Sequence, residues 1–253
     1  MRYGELELQT NEIIVSSVQY RQMAERVMNT SPISRRSGNK YLSDEFTTKT
    51  IVMEGHVVSN STSGLIGVVD NMHRYLALSQ QDLIIDDTDR VYIATCSKAE
   101  FPELSFTRST TPFTLEFLSV QPYAYGDNLN ATFVMPSGVT TQTITTYISG
   151  SAYAEPQLSL TTIGTAGNAG FTKIQVNHTN TGGQVVISGT WSQNTETVLN
   201  YDNATITISG LLTDYTGNFT SFPVGTNSLQ ISFTGNNDFG VSGQLTYLPR
   251  FYF

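Results

Sequence analysis

The chain has 253 residues, long enough for one large β domain or two modest ones with a proper core. Only 13% of its residues are charged and 39% are apolar, with Thr, Ser, Asn, Gln and Gly making up the difference. That mixture suits the exposed sheets of secreted, cell-surface and viral structural proteins and argues against disorder. The net charge of −8, with no basic run longer than Arg35-Arg36, disfavours non-specific phosphate binding, because little would release counterions.

In chain order, residues 3–17 predict two short strands, with Leu6 and Leu8 alternating with Glu5 and Glu7, then Ile13, Ile14 and Val15 after a turn at Asn11. Met1–Thr10 lacks an apolar core of signal-peptide length, so synthesis in the cytoplasm without a signal peptide is expected. No segment approaches membrane-spanning length. Tyr20–Asn29 has helix-compatible composition, with Met23 and Val27 on one side. Thr30–Thr48 reads as an irregular polar loop, an arm that orders against a partner. Arg35, Arg36, Lys40 and Tyr41 on it are the candidate subunit or partner contacts.

Thr47–Cys96 is the stretch around which the chain is organised. Thr50–Met53 begins a strand that ends at a polar break, Ser59–Ser63, whose hydroxyl side chains can cap the first turn of a helix. Leu65, Val69, Met72 and Leu76 then recur at spacings of four, three and four, giving one apolar helical face. Leu83–Ile85 and Arg90–Cys96 follow as strands joined by the polar turn Asp86–Asp89. Cys96, the single cysteine, excludes an intrachain disulfide and reads as a small buried apolar side chain. Phe101–Phe106 and Phe113–Val120 are two further strands, the second with Phe113, Leu115 and Phe117 on one face, and Gln121-Pro122 closes a first domain, 1–122.

From Tyr123 to the end the only basic residues are Lys173 and Arg250, and helical periodicity is lost. Short alternating runs such as Thr143–Ile148, Gln157–Thr162, Phe171–Val176, Gln184–Ile187, Thr205–Ile208, Leu229–Phe233 and Leu245–Tyr247 predict a second, all-β domain over 123–253, a sandwich or jelly roll. The fold class is mainly β.

Little in the sequence points to chemistry. His56, His73 and His178 sit in a strand, on a helix and in a turn with no ligand spacing, so no metal site is expected. Gly164, Gly167 and Gly170 lack the helix and lysine of a phosphate loop. No nucleophile elbow occurs, and no carboxylate pair can be nominated for glycoside hydrolysis. Asp86, Asp87 and Asp89 read as a solvated turn. No catalytic, cofactor-binding or metal residue is nominated, and the chain is expected not to be an enzyme. Among Trp191, Tyr201, Tyr215, Phe219 and Phe222, core filling is the favoured role, with Trp191 the best candidate for an exposed exception that stacks on a sugar ring. That gives one alternative reading, a carbohydrate-binding β-sandwich module with an accessory domain.

The ordered pattern also resembles a known family. In the first half it consists of a polar loop with Gly38, strand Lys49–Gly55, helix Leu65–Leu78, strands Leu83–Ile85 and Val91–Thr95, and the closing run Phe113–Pro122. In the second half it consists of Gly183–Gly189, Leu199–Asp202, Ala204–Gly210, Tyr215–Phe219, and Phe222–Leu229, a run in which a proline precedes Gly-Thr-Asn and a strand. Together they resemble the distal tail proteins of long-tailed phages with flexible, non-contractile tails. The resemblance implies an N-terminal domain that closes into a hexameric ring, a C-terminal galectin-like sandwich outside it, and a place in the virion between tail tube and baseplate hub. It implies as partners further copies of the chain, the tail tube protein, a baseplate hub or tail-associated protein and receptor-binding proteins, with DNA only in transit, no membrane and no cofactor.

Overall fold

The computed structural model describes residues 1–32, 39–86, 90–102, 109–163, 171–235 and 240–252. The chain divides into two compact units, Met1–Tyr125 with Phe251–Phe253, and Gly126–Arg250. Residues 123–125 and 251–253, which the sequence places with the second domain, belong to the first unit. Every named strand pairing within the two units is antiparallel, and the fold is mainly β.

The first unit contains β1 (Arg2–Tyr3), β2 (Leu6–Glu7), β3 (Ile13–Gln19), β4 (Arg26–Pro32), β5 (Asn39–Phe46), β6 (Lys49–Val58), α1 (Thr62–Leu76), β7 (Gln81–Ile84), β8 (Val91–Glu100), β9 (Thr110–Ser119) and β10 (Ala124–Tyr125). The main sheet runs β2-β1-β7-β8-β9-β6-β3, with β10 on β8. Its spine is β6 against β9, in register from Lys49↔Ser119 to Val58↔Thr110. Period-two burial explains the pairing: Ile51, Met53 and Val57 of β6 face the core with Phe113, Leu115 and Phe117 of β9.

Helix α1 lies on β6 and β8. Leu65, Val69, Met72 and Leu76 are its buried residues, as the spacing predicts. Ser61 caps it, its side-chain oxygen accepting from the Gly64 N–H at 3.1 Å, and His73 and Arg74 in the last turn favour the negative end of the helix dipole. Tyr3 ties the N-terminus down. Its hydroxyl donates to the Leu78 carbonyl just past the helix and accepts from the Cys96 N–H, and its ring meets Phe117 at 4.9 Å. Cys96 is half-buried, with burial pushing its thiol up to about 11.

The second unit contains β11 (Leu129–Met135), β12 (Thr141–Ile148), β13 (Gln157–Ile163), β14 (Phe171–His178), β15 (Gly183–Ser188), β16 (Glu196–Asn200), β17 (Thr205–Ile208), β18 (Leu211–Leu212), β19 (Thr216–Asn218), β20 (Gly225–Gly235) and β21 (Gly240–Tyr247). They form two sheets, β11-β21-β13-β16-β17-β18 and β12-β20-β14-β15-β19. One apolar cluster joins them, with Leu158, Leu160, Leu199 and Leu245 from the first sheet and Ile174, Val176, Ile187 and Ile231 from the second. This is a β-sandwich. Gly243 of β21 stands opposite Phe133 of β11, and a Cβ there would collide with the Phe133 ring lying over it.

Candidate functional site

The first unit departs from expectation between residues 20 and 48. Neither a helix over Tyr20–Asn29 nor an irregular loop over Thr30–Thr48 is found. Instead β4 and β5 form a hairpin, in register from Arg26↔Phe46 to Pro32↔Asn39 with an irregularity between Asn29 and Thr30. Val27 and Thr30, both β-branched, suit a strand at least as well as a helix, and cross-strand pairing decides between them. Lys40 and Tyr41 lie on β5, paired with Ser31 and Thr30, while Arg35 and Arg36 fall outside the described residues. Asp87, Asp89, most of the expected strand Phe101–Phe106 and the Gly164–Gly170 stretch also fall outside them.

This hairpin is a sheet of two strands that pair only with each other among the described residues. A two-stranded ribbon in water is marginal unless something packs on it. Yet Val27 is 45% exposed, Met28 64% and Leu42 57%, with Met23 beside the hairpin at 53%. Because Val27 and Met28 are consecutive in a strand, apolar groups project from both faces.

Its base is firmly held. The Arg26 guanidinium lies 5.7 Å from the centre of the Phe46 ring, and that ring meets Tyr252 at 4.8 Å. The Thr47 N–H donates to the Glu25 carbonyl at 2.8 Å. Lys49, the first residue of β6, is buried, and its Nζ donates to the Tyr92 hydroxyl at 3.2 Å and the Tyr252 carbonyl at 2.9 Å. Desolvation lowers the Lys49 ammonium to about 8 and raises the Tyr92 phenol to about 12. The sequence marks Lys49 only as the start of a strand; no local signal reveals that Tyr252, 203 positions away, completes its surroundings.

In the second unit Trp191, the candidate for an exposed, sugar-stacking exception, is instead buried with the core-filling aromatics. Its side chain is 0% exposed and its indole N–H donates to Thr197 Oγ1 at 2.7 Å. A large aromatic body with one polar handle is stable in a core when that handle finds a partner, and Thr197 supplies it. Tyr201, Phe219 and Phe222 form an edge-to-face cluster with Tyr215, as core filling predicts.

The run Phe222–Leu229 acquires a physical explanation. His178, expected in a turn, is the last residue of β14; it is buried and stacked on Phe222 at 4.2 Å. Asn227 Nδ2 donates to the carbonyls of Pro223 and Gly225, at 2.7 and 2.9 Å, which aims Oδ1 at His178 Nε2, 2.9 Å away. His178 therefore carries its proton on Nε2, leaving Nδ1 to accept from Thr181 Oγ1 at 2.7 Å. Gly225 is required by its φ of 103°. Burial holds the imidazole below its usual range. This is an internal brace for the corner before β20, without a face for a ligand.

No cluster of three or more His, Cys, Asp or Glu able to hold a metal occurs among the described residues. No described helix is long and apolar enough to cross a membrane.

No family model and no curated protein matches the sequence. Among solved structures, the chain is similar to SPP1 Dit (gp 19.1), described as a paradigm of hub adsorption apparatus in Gram-positive infecting phages. The TM-score is 0.73 at 11% identity, over 98% of this chain and 97% of that one. A phage P2 baseplate structure also matches, at a TM-score of 0.43 and 8% identity over 95% and 92% of the two chains, too weakly to bear on the fold. The chain thus has the fold of SPP1 Dit along nearly its whole length, and the resemblance read from its sequence holds at the level of fold.

Proposed function

We propose that the chain is a non-enzymatic structural component of a phage tail tip, whose first unit closes into a hexameric ring joining the tail tube to the baseplate hub. The observation that carries this reading is the likeness to SPP1 Dit, which spans both units. The hairpin supports it: an exposed two-stranded ribbon with apolar side chains on both faces gains stability by lying against a neighbouring subunit. On this reading the hairpin, with Lys40 and Tyr41 on it and Arg35 and Arg36 between its strands in sequence, is the subunit contact, and the tail tube protein, baseplate hub and receptor-binding proteins are the outer partners.

A ring of such subunits leaves a channel for DNA. With −8 on each chain, it repels a polyanion along its length, which suits transit better than binding. Negative-stain images of the purified full chain test the proposal. Six-fold rings with a central hole are expected; uniform single particles at high concentration would overturn it.

A further inference from the structure

The outer face of the β12-β20-β14-β15-β19 sheet carries an ordered array of uncharged polar groups. One row crosses all five strands, with Thr143, Gln230, Asn177, Gln184 and Asn218 in successive registers. Asn177 is its hub. Its Oδ1 accepts from Gln175 Nε2 at 3.2 Å and from Gln184 Nε2 at 3.0 Å, and its Nδ2 donates to Gln230 Oε1 at 3.2 Å. Each glutamine is thereby fixed by one end of its amide. The other ends, Gln175 Oε1, Gln184 Oε1 and Gln230 Nε2, have no protein partner among the described residues.

We infer that this face binds a neutral polysaccharide. Two acceptors and a donor held in place by a shared hub match hydroxyl groups, which donate and accept, and their order in the free protein lowers the entropy cost of binding. The face does not suit other polymers. Lys173 is the only cation that alternation brings to it, too little charge for nucleic acid or an acidic glycan. Apart from Val186 and Tyr147 it has no apolar side chain to form the dry centre of a protein interface. Tyr147, 64% exposed on β12, offers a ring for stacking. It lies four residues along the strand from Thr143, about 13 Å, while the row itself spans four inter-strand steps, about 19 Å. Those dimensions fit several sugar rings. The inference does not depend on the tail-ring reading or on Trp191.

The test is affinity electrophoresis of the full chain through gels containing dextran, galactan, mannan, laminarin or soluble starch, with calorimetry on any polymer that retards it. At least one polymer is expected to retard the protein. Asn177→Ala and Gln230→Ala should each weaken binding by about tenfold, the loss expected when well-placed hydrogen bonds are removed. Tyr147→Ala should also weaken it, while Gln244→Ala on the opposite sheet should leave it unchanged. Gln230 is partly exposed, so its truncation keeps the fold even if the hub variant does not. Retardation by none of the five polymers, or retardation that Gln230→Ala and Tyr147→Ala leave intact, would overturn the inference.

Discussion

The hairpin of the first unit and the Trp191 region of the second differ in how much of their apolar surface the chain itself covers. Arg26–Pro32 and Asn39–Phe46 pair as an exposed ribbon that displays Val27, Met28 and Leu42, while the lone tryptophan is sealed in a core. Apolar groups left in water on a thin element imply a missing partner, whereas an aromatic enclosed with its N–H satisfied implies a finished structure. On the proposed reading a neighbouring subunit covers the ribbon of the first unit, whereas the second encloses its aromatics and presents an uncharged polar surface.

The largest expected effect lies on the finished side. Trp191→Ala removes a fully buried side chain and strands Thr197, so it should destabilise the second unit by about 3–5 kcal/mol in chemical denaturation. A cost below about 1 kcal/mol would mean that the indole is not a core anchor. Next comes the His178 brace. Asn227→Ala unties His178 and the carbonyls of Pro223 and Gly225, and should cost about 2–3 kcal/mol.

The brace also gives the second unit a pH signature. Because the folded pKa of His178 is lowered, the unfolded chain binds more protons just below 6.5, and stability falls as the pH drops through that value. Thermal melts from pH 7.5 to 5 should show that slope in the wild type, and His178→Gln should flatten it. The first unit has a signature of the same sign on the alkaline side. Lys49 is lowered from 10.5 to about 8, so stability should rise between those values as the unfolded chain retains the extra proton. Melts from pH 7.5 to 9.5 should show the rise, and its persistence in Lys49→Met would assign it elsewhere.

The smallest effect on folding, and the sharpest on assembly, belongs to the hairpin. Met28→Asp changes an exposed residue opposite Asp44, so like-charge pairing adds a small cost and the stability of the isolated chain should fall by no more than about 1 kcal/mol.

What could be read from the sequence depended on how local its cause was. The helix was legible because Leu65, Val69, Met72 and Leu76 recur with helical period and Ser61 supplies its cap. The strands with clean alternation were legible for the same reason. The hairpin was not, since Arg26–Pro32 fits a strand as well as a helix and its partner begins seven residues beyond its end. Glu196–Asn200 and Leu129–Met135 carry weaker local signals because their pairing partners lie far along the chain, Gln157–Thr161 and Val241–Tyr247. Side-chain surroundings set by a three-dimensional partner leave no local signal: nothing in the run around Trp191 says that Thr197 will accept its N–H hydrogen bond inside a core, and nothing near Gln230 says that Asn177 will hold it.

The central claim, that the exposed ribbon is a subunit contact, is tested most directly by the mass of the full chain in solution by light scattering, with Met28→Asp beside it. The account predicts a wild-type mass of six chains of 27.8 kDa each and a folded variant that falls to the mass of one. A folded wild-type monomer at high concentration, or a Met28→Asp protein that assembles as before, would contradict it.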